Sequence, residues 1–172
     1  YKVTYSAFEG LFVNVLKPKD SFAQELKEAG FDMTQLKPEY PSEVWRKCLV
    51  ISAKFTFPSL GQEAAFSKLG QIFIDGYFET IMGRVAKAIV PLVGPAGLLK
   101  RMGGFFTAGA PGLQVSLETI AKTSYVLRFV SPWTNPEFDA SVAMAVLSRT
   151  GVKGLNSRIT RRPDGFDLAV SW

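Results

Sequence analysis

Histidine is absent from all 172 residues. Its absence removes Ser-His-Asp and Cys-His nucleophile arrangements, imidazole metal ligands and the commonest proximal haem ligand together. Cysteine occurs once, as Cys48, which excludes an internal disulfide and a cysteine-rich zinc site. It also accords with a reducing compartment, so a cytoplasmic location is expected. Charge is sparse: 20% of residues carry it, and 20 basic against 15 acidic side chains leave +5. The basic pairs Lys17/Lys19, Lys100/Arg101 and Arg161/Arg162 are scattered, with no aromatic stacking series and no recognisable reading helix, so no nucleic-acid partner is expected. A long apolar run is missing as well. The charge-free stretch 88–99 is broken by prolines and falls short of the roughly 20 residues a bilayer crossing takes, so no membrane span is expected. The chain opens at Tyr1 without a basic-then-apolar leader.

What is abundant is apolar surface, 47% of residues, enough for one domain, 1–172, with a substantial core. Its centre is segment 57–102, where Phe66, Leu69, Phe73, Tyr77, Ile81 and Val85 recur at three or four residues and Ile72, Ile74, Phe78 and Met82 widen the apolar surface. Ser59 and Gln62 form a capping box, so a helix is predicted from about Leu60 to the region of Pro91, with a short helix restarting at Pro95 and ending near Met102. The glycines at 70, 76 and 83 match neither a Walker loop nor G-x-G-x-x-G, and close helix packing is their expected role.

Ahead of it, Ser6 and Glu9 box a helix over about 7–16, and Ser21 and Gln24 a second one ended by Gly30. After a connecting loop over 31–41, a third helix opens at Pro41 or Ser42 and is anchored by Trp45, with Cys48, Leu49 and Ser52 on the same face. The glycine-rich stretch 103–112 reads as a loop, a hinge or lid candidate. Beyond it the period changes to 2. Leu113, Val115 and Leu117, then Tyr125, Leu127 and Phe129, alternate in two strands joined at residues 121–124. A helix follows from Asn135 and Pro136 to Gly151. A second hairpin turns at Pro163-Asp164-Gly165, with Phe166, Leu168, Val170 and Trp172 as its inner row. The predicted class is α+β: a helical layer over about 1–104, then hairpin, helix, hairpin over about 113–172 forming one four-stranded antiparallel sheet.

No catalytic constellation is present. Cys48 lies on an apolar face, where a free thiol behaves as a small hydrophobe. Asp75 and Glu79, one helical turn apart near Arg84, are the compact polar set of the central segment, and two solvated carboxylates neutralised by Arg84 are the plain reading. Two functions survive. A non-catalytic small-molecule-binding or sensory module would use an apolar pocket between helices and sheet lined by Phe73, Tyr77, Phe78, Met82, Phe105 and Phe106, with no cofactor and no metal. The alternative is a protein-interaction module, and a homodimer is the expected assembly.

The spaced residues FEGL (8–11), YPSEVW (40–45), FPSLGQEAAFSKLGQIFIDGYFETIMGR (57–84) and FDLAVSW (166–172) resemble a large paralogous myxobacterial family filed as a domain of unknown function. The likeness runs nearly end to end and brings no activity with it; that family has a more polar turn where this chain has GGFFTAGAPG. By topology the chain is also similar to the haem-NO-binding, vinyl-reductase-like and transport-particle-subunit folds. That likeness implies a cavity able to hold haem or a lipid-like ligand, or a dimerisation surface. The haem version needs an axial histidine, which this chain lacks.

Overall fold

The computed structural model describes residues 1–132 and 134–172. Two short strands that no periodicity announces come first. β1 (Lys2–Thr4) pairs antiparallel with β2 (Glu39–Pro41), Lys2 opposite Pro41 and Thr4 opposite Glu39. At three residues each they are too short to show alternation, so 31–41 reads as plain loop in the sequence.

Helix α1 (Tyr5–Phe8) runs on without a break as a π-helical segment, Glu9–Leu16. It starts two residues before the predicted 7, and Thr4, in extended conformation, precedes it without a side-chain cap. The Ser6/Glu9 box therefore lies inside the helix and does not form. Lys17, left-handed at φ 48°, closes the segment ahead of Pro18. The second box fails for the same reason. Lys19 precedes α2 (Asp20–Glu28), leaving Ser21 in its first turn, while Gly30 at φ 107° ends the turn as expected.

Helix α3 (Ser42–Thr56) buries Trp45, Cys48, Leu49 and Ser52 on one face, and the Ser52 hydroxyl satisfies itself by donating to the Cys48 carbonyl at 2.7 Å. The central segment departs from expectation. It is two helices, α4 (Gln62–Tyr77) and α5 (Ile81–Gly109), and Gly61, not Ser59, precedes the first. The break is made by Thr80. Its Oγ accepts the Gly83 N–H at 3.0 Å and donates to the Tyr77 carbonyl at 2.7 Å, which caps α5 and fastens it to the end of α4. Gly83 is required there, because a Cβ would overlap the Tyr77 carbonyl oxygen.

Helix α5 absorbs Pro91 and Pro95 by an interruption at Gly94 (φ 64°, ψ 173°). It then continues through the stretch predicted as a glycine-rich loop, so there is no hinge or lid over 103–109, and the turn before the sheet is confined to residues 110–112. Packing explains the helix. Phe106 meets Phe129 edge-on at 4.8 Å, and Gly103 lets the helix approach the next strand, where a Cβ would lie 2.9 Å from the Val115 carbonyl oxygen. Those contacts outweigh a helix penalty of about 1 kcal/mol per glycine. The helical part thus reaches 109, past the predicted 104.

The sheet forms as predicted, four antiparallel strands in the order β3 (Gln114–Ala121), β4 (Ser124–Val130), β6 (Gly165–Ser171), β5 (Asn156–Arg162). Its register, Leu127 opposite Leu168 and Phe129 opposite Phe166, puts one row of each central strand inward. Tyr125, Leu127, Phe129, Phe166, Leu168 and Val170 are all buried, whereas Arg128 pairs Asp167 across the other face at 3.1 Å. Between the hairpins, α6 (Pro136–Ser148) packs on α4. Gly70 makes that possible: a Cβ there would stand 2.5 Å from the Phe138 carbonyl oxygen. The architecture is α+β, with α4 and α6 as the inner helices.

Candidate functional site

A cavity of about 90 Å³ lies where α4, α5 and α6 converge with the N-terminal residues. Helix α4 contributes Phe73, Ile74 and Tyr77; α5 contributes Ala86, Met102, Phe105 and Phe106; α6 contributes Phe138, Asp139, Val142 and Val146. Tyr1, Val3, Ala7 and Trp45 line it as well. The expected place, between helices and sheet, is therefore corrected: no residue of the four sheet strands lines the cavity, and Leu113, just before β3, is its nearest neighbour in sequence to them.

Of the residues proposed from sequence, Phe73, Tyr77, Phe78, Phe105 and Phe106 stand together in this wall. Met82 does not. It projects from the first turn of α5 and is 53% exposed, because the break at Thr80 redirects the helix axis and turns that position outward. The Asp75/Glu79/Arg84 set is divided by the break, with Arg84 still holding the Glu79 carboxyl down by its charge, though less than Lys87 does. Asp75 pairs with Arg149, just past the end of α6, and Glu79 with Lys87 at 2.8 Å.

Sequence reasoning missed Asp139, the carboxyl among the apolar walls. It occupies the first turn of α6, where its Oδ2 accepts the Asn135 N–H at 3.0 Å, so it serves partly as a helix-start acceptor. Burial pushes its pKa up to about 7, against a smaller lowering by that hydrogen bond and a small further rise from Glu137. The missed signal was its spacing. Asp139, Val142 and Val146 fall at i, i+3 and i+7, one stripe of the helix, so a carboxyl shares the core-facing row. The phenols of Tyr1 and Tyr77 are both raised by burial, Tyr1 also by the Asp139 charge. Cys48 shares the buried face of α3 with Trp45 but is not among the residues lining the cavity, and burial drives its thiol up to about 12. Among the described residues no three of Cys, Asp and Glu gather where a metal could sit.

The model of a family described as "Protein of unknown function (DUF2378)" matches residues 2–172. No curated protein matches the sequence. Several solved structures share the fold. An H-NOX protein from S. oneidensis in the Fe(II)NO ligation state superposes with a TM-score of 0.69 at 13% identity, over 98% of both chains. An oxygen-binding H-NOX domain related to soluble guanylate cyclases gives 0.68 at 12% identity, over 97% of this chain and 91% of that one. A Cs H-NOX mutant carrying an unnatural amino acid gives 0.68 at 13%, over 97% and 92%.

The fold invites the question of haem, and the donors of this chain do not fit ligated iron. There is no imidazole, burial keeps the thiol of Cys48 protonated and it does not line the cavity, and burial holds the cavity's own phenols in their neutral form. The space itself, about 90 Å³, is well below the roughly 300–1,000 Å³ of pockets for cofactor-sized ligands.

Proposed function

The chain belongs to the family of proteins of unknown function matched over residues 2–172, and we propose that it is a non-catalytic small-molecule-binding or sensory domain. The observation that carries this reading is the cavity among α4, α5 and α6, apolar in its walls but for Asp139 and the tyrosines. A cavity of about 90 Å³ lies on the scale of the voids that take up a guest of the size of benzene or xenon, roughly 150 Å³ in the best-known instance. The ligand class is thus a small apolar molecule, with the Asp139 carboxyl available to one hydrogen-bonding end.

Native mass spectrometry of freshly purified protein, followed by titration with benzene and with a fluorescent fatty-acyl probe, tests the reading. Uptake by the parent and its loss in Val142→Phe, which fills the cavity, is the expected result, with the far-UV spectrum showing that the variant folds. Uptake that survives the filling substitution, or a parent that takes up neither probe, would sink it.

A further inference from the structure

Away from the cavity, the first half of α5 turns an apolar stripe to solvent. Ile81 and Leu92 are each 84% exposed, Val85 60% and Met82 53%. At 100° per residue, Ile81, Val85, Ala88 and Leu92, spaced four, three and four apart, fall in one narrow sector with Ile89 and Met82 at its edge. A second sector, Gly83, Ala86 and Val90, is buried against the core. Arg84 and Lys87 form the third. Scattered exposed apolar side chains are ordinary, but a continuous helical stripe of them marks a contact surface.

Charge identifies what that surface meets. From Thr80 through Leu117 the sequence holds Arg84, Lys87, Lys100 and Arg101 and no Asp or Glu. A second copy of the chain is a poor occupant, because a two-fold contact sets a patch against itself and would bring Arg84 against its own copy, while Glu79, the acid at the edge of the stripe, is already paired with Lys87 at 2.8 Å. Crossing a bilayer is ruled out by geometry, although the 29 residues of α5 are long and apolar enough by composition. Gly94 interrupts the helix. The stretch 81–93 spans about 20 Å, against a hydrocarbon core of about 30 Å, and beyond the interruption Leu98, Leu99 and Met102 are locked in the protein core.

We propose that the exposed stripe Ile81–Leu92 docks the protein flat on an anionic lipid surface, its apolar side chains at the headgroup boundary and the flanking cations among the headgroups. The site is separate from the cavity, so the two readings fail independently.

Flotation of the full chain with vesicles of phosphatidylcholine alone, and of phosphatidylcholine mixed with phosphatidylglycerol, tests it. Binding to the mixed vesicles only, weakened by high salt, is expected. Leu92→Ser with Val85→Ser should abolish it, and Arg84→Gln should lower partitioning about fivefold, the effect of one cation near an anionic surface. All three positions are exposed, so the variants should keep the parent's denaturation midpoint, and Val142→Phe should bind vesicles as the parent does. Absence of binding to the mixed vesicles, binding that ignores the two serine substitutions, or a dimer in sedimentation equilibrium that those substitutions dissolve would each overturn the proposal.

Discussion

Replacing Asp139 by asparagine should change how the stability of this protein depends on pH. The carboxyl is buried in the first turn of α6, and its pKa rises from 3.8 to about 7 on folding, chiefly through burial. Below the unfolded value both states hold the proton and the group has no net effect on folding. Between that value and about 7 the native state keeps a proton that the unfolded chain has released, so native stability falls by about 1.4 kcal/mol per pH unit. Above the native value the loss is complete, on the order of 4 kcal/mol. The sign follows: stability is greatest on the acid side and is lost as pH rises through the folded pKa.

The absence of histidine makes this measurable, since no imidazole titrates between pH 5 and 8 to blur the trend. Tyr1, whose phenol is pushed upward by burial and by the Asp139 charge, stays neutral throughout, and Glu137 raises Asp139 only slightly. The substituted side chain would still accept the Asn135 N–H through its amide oxygen. Urea midpoints of parent and Asp139→Asn, taken from pH 4.5 to 8, should therefore approach each other at the acid end, separate up to about pH 7 and run parallel above it, with the variant the more stable. Curves parallel over the whole range would show that the carboxyl titrates as a solvated one, and that its burial in the cavity wall is wrong.

Trp45→Ala should cost about 3–5 kcal/mol in denaturation experiments, the range for an aromatic truncated in a core, because the indole packs edge-on against Phe8, Phe138 and Phe73 at 4.9, 5.6 and 6.2 Å; an unchanged midpoint would show the ring to be free. Gly76→Ala should destabilise by about 1–3 kcal/mol although alanine is the better helix former, since its Cβ would overlap the Gly10 carbonyl oxygen, and a gain in stability would mean that α4 does not lie so close to the π-helical segment. Titration with haem should give no stoichiometric Soret shift, and a one-to-one complex whose spectrum collapses on Cys48→Ser or on replacing one tyrosine would refute that.

The second half of the chain was legible because its signals are local. Alternation in 124–130 and 165–171 places side chains on two faces without reference to anything distant, and Pro163-Asp164-Gly165 sets its own turn, with Gly165 at φ 151° beside the Phe129 carbonyl. The helical half was misread wherever tertiary contact decided. Apolar periodicity runs through Phe78 without a gap, since both α4 and α5 have apolar faces, and only the pairing of Thr80 with Gly83 marks the break. Five glycines or alanines among residues 103–110 read as loop on propensity, yet Phe105 and Phe106 bind that stretch to the core and make it helix. The site was half legible for a related reason. Aromatics at helical spacing pointed to the wall, whereas Asp139 was hidden among the polar residues expected at a helix start, and Met82 was drawn in by a periodicity that the break at Thr80 interrupts.

The walls of the cavity also differ in what holds them. Helices α4 and α6 meet backbone to backbone at Gly70, α4 meets the π-helical segment at Gly76 and Gly10, and the Asn14 amide donates to the Gly76 carbonyl at 2.9 Å. Moving either helix would break contacts that no other arrangement of those glycines could replace. Helix α5 is held differently. Over 81–93 it buries only Gly83, Ala86 and Val90, small side chains whose contacts with the core contribute little apolar area. Its capping threonine and the interruption at Gly94 bound this half at both ends. A segment with few buried contacts opens at low free energy, so a guest larger than the present 90 Å³ would make room against α5, the same segment whose outer face carries the apolar stripe.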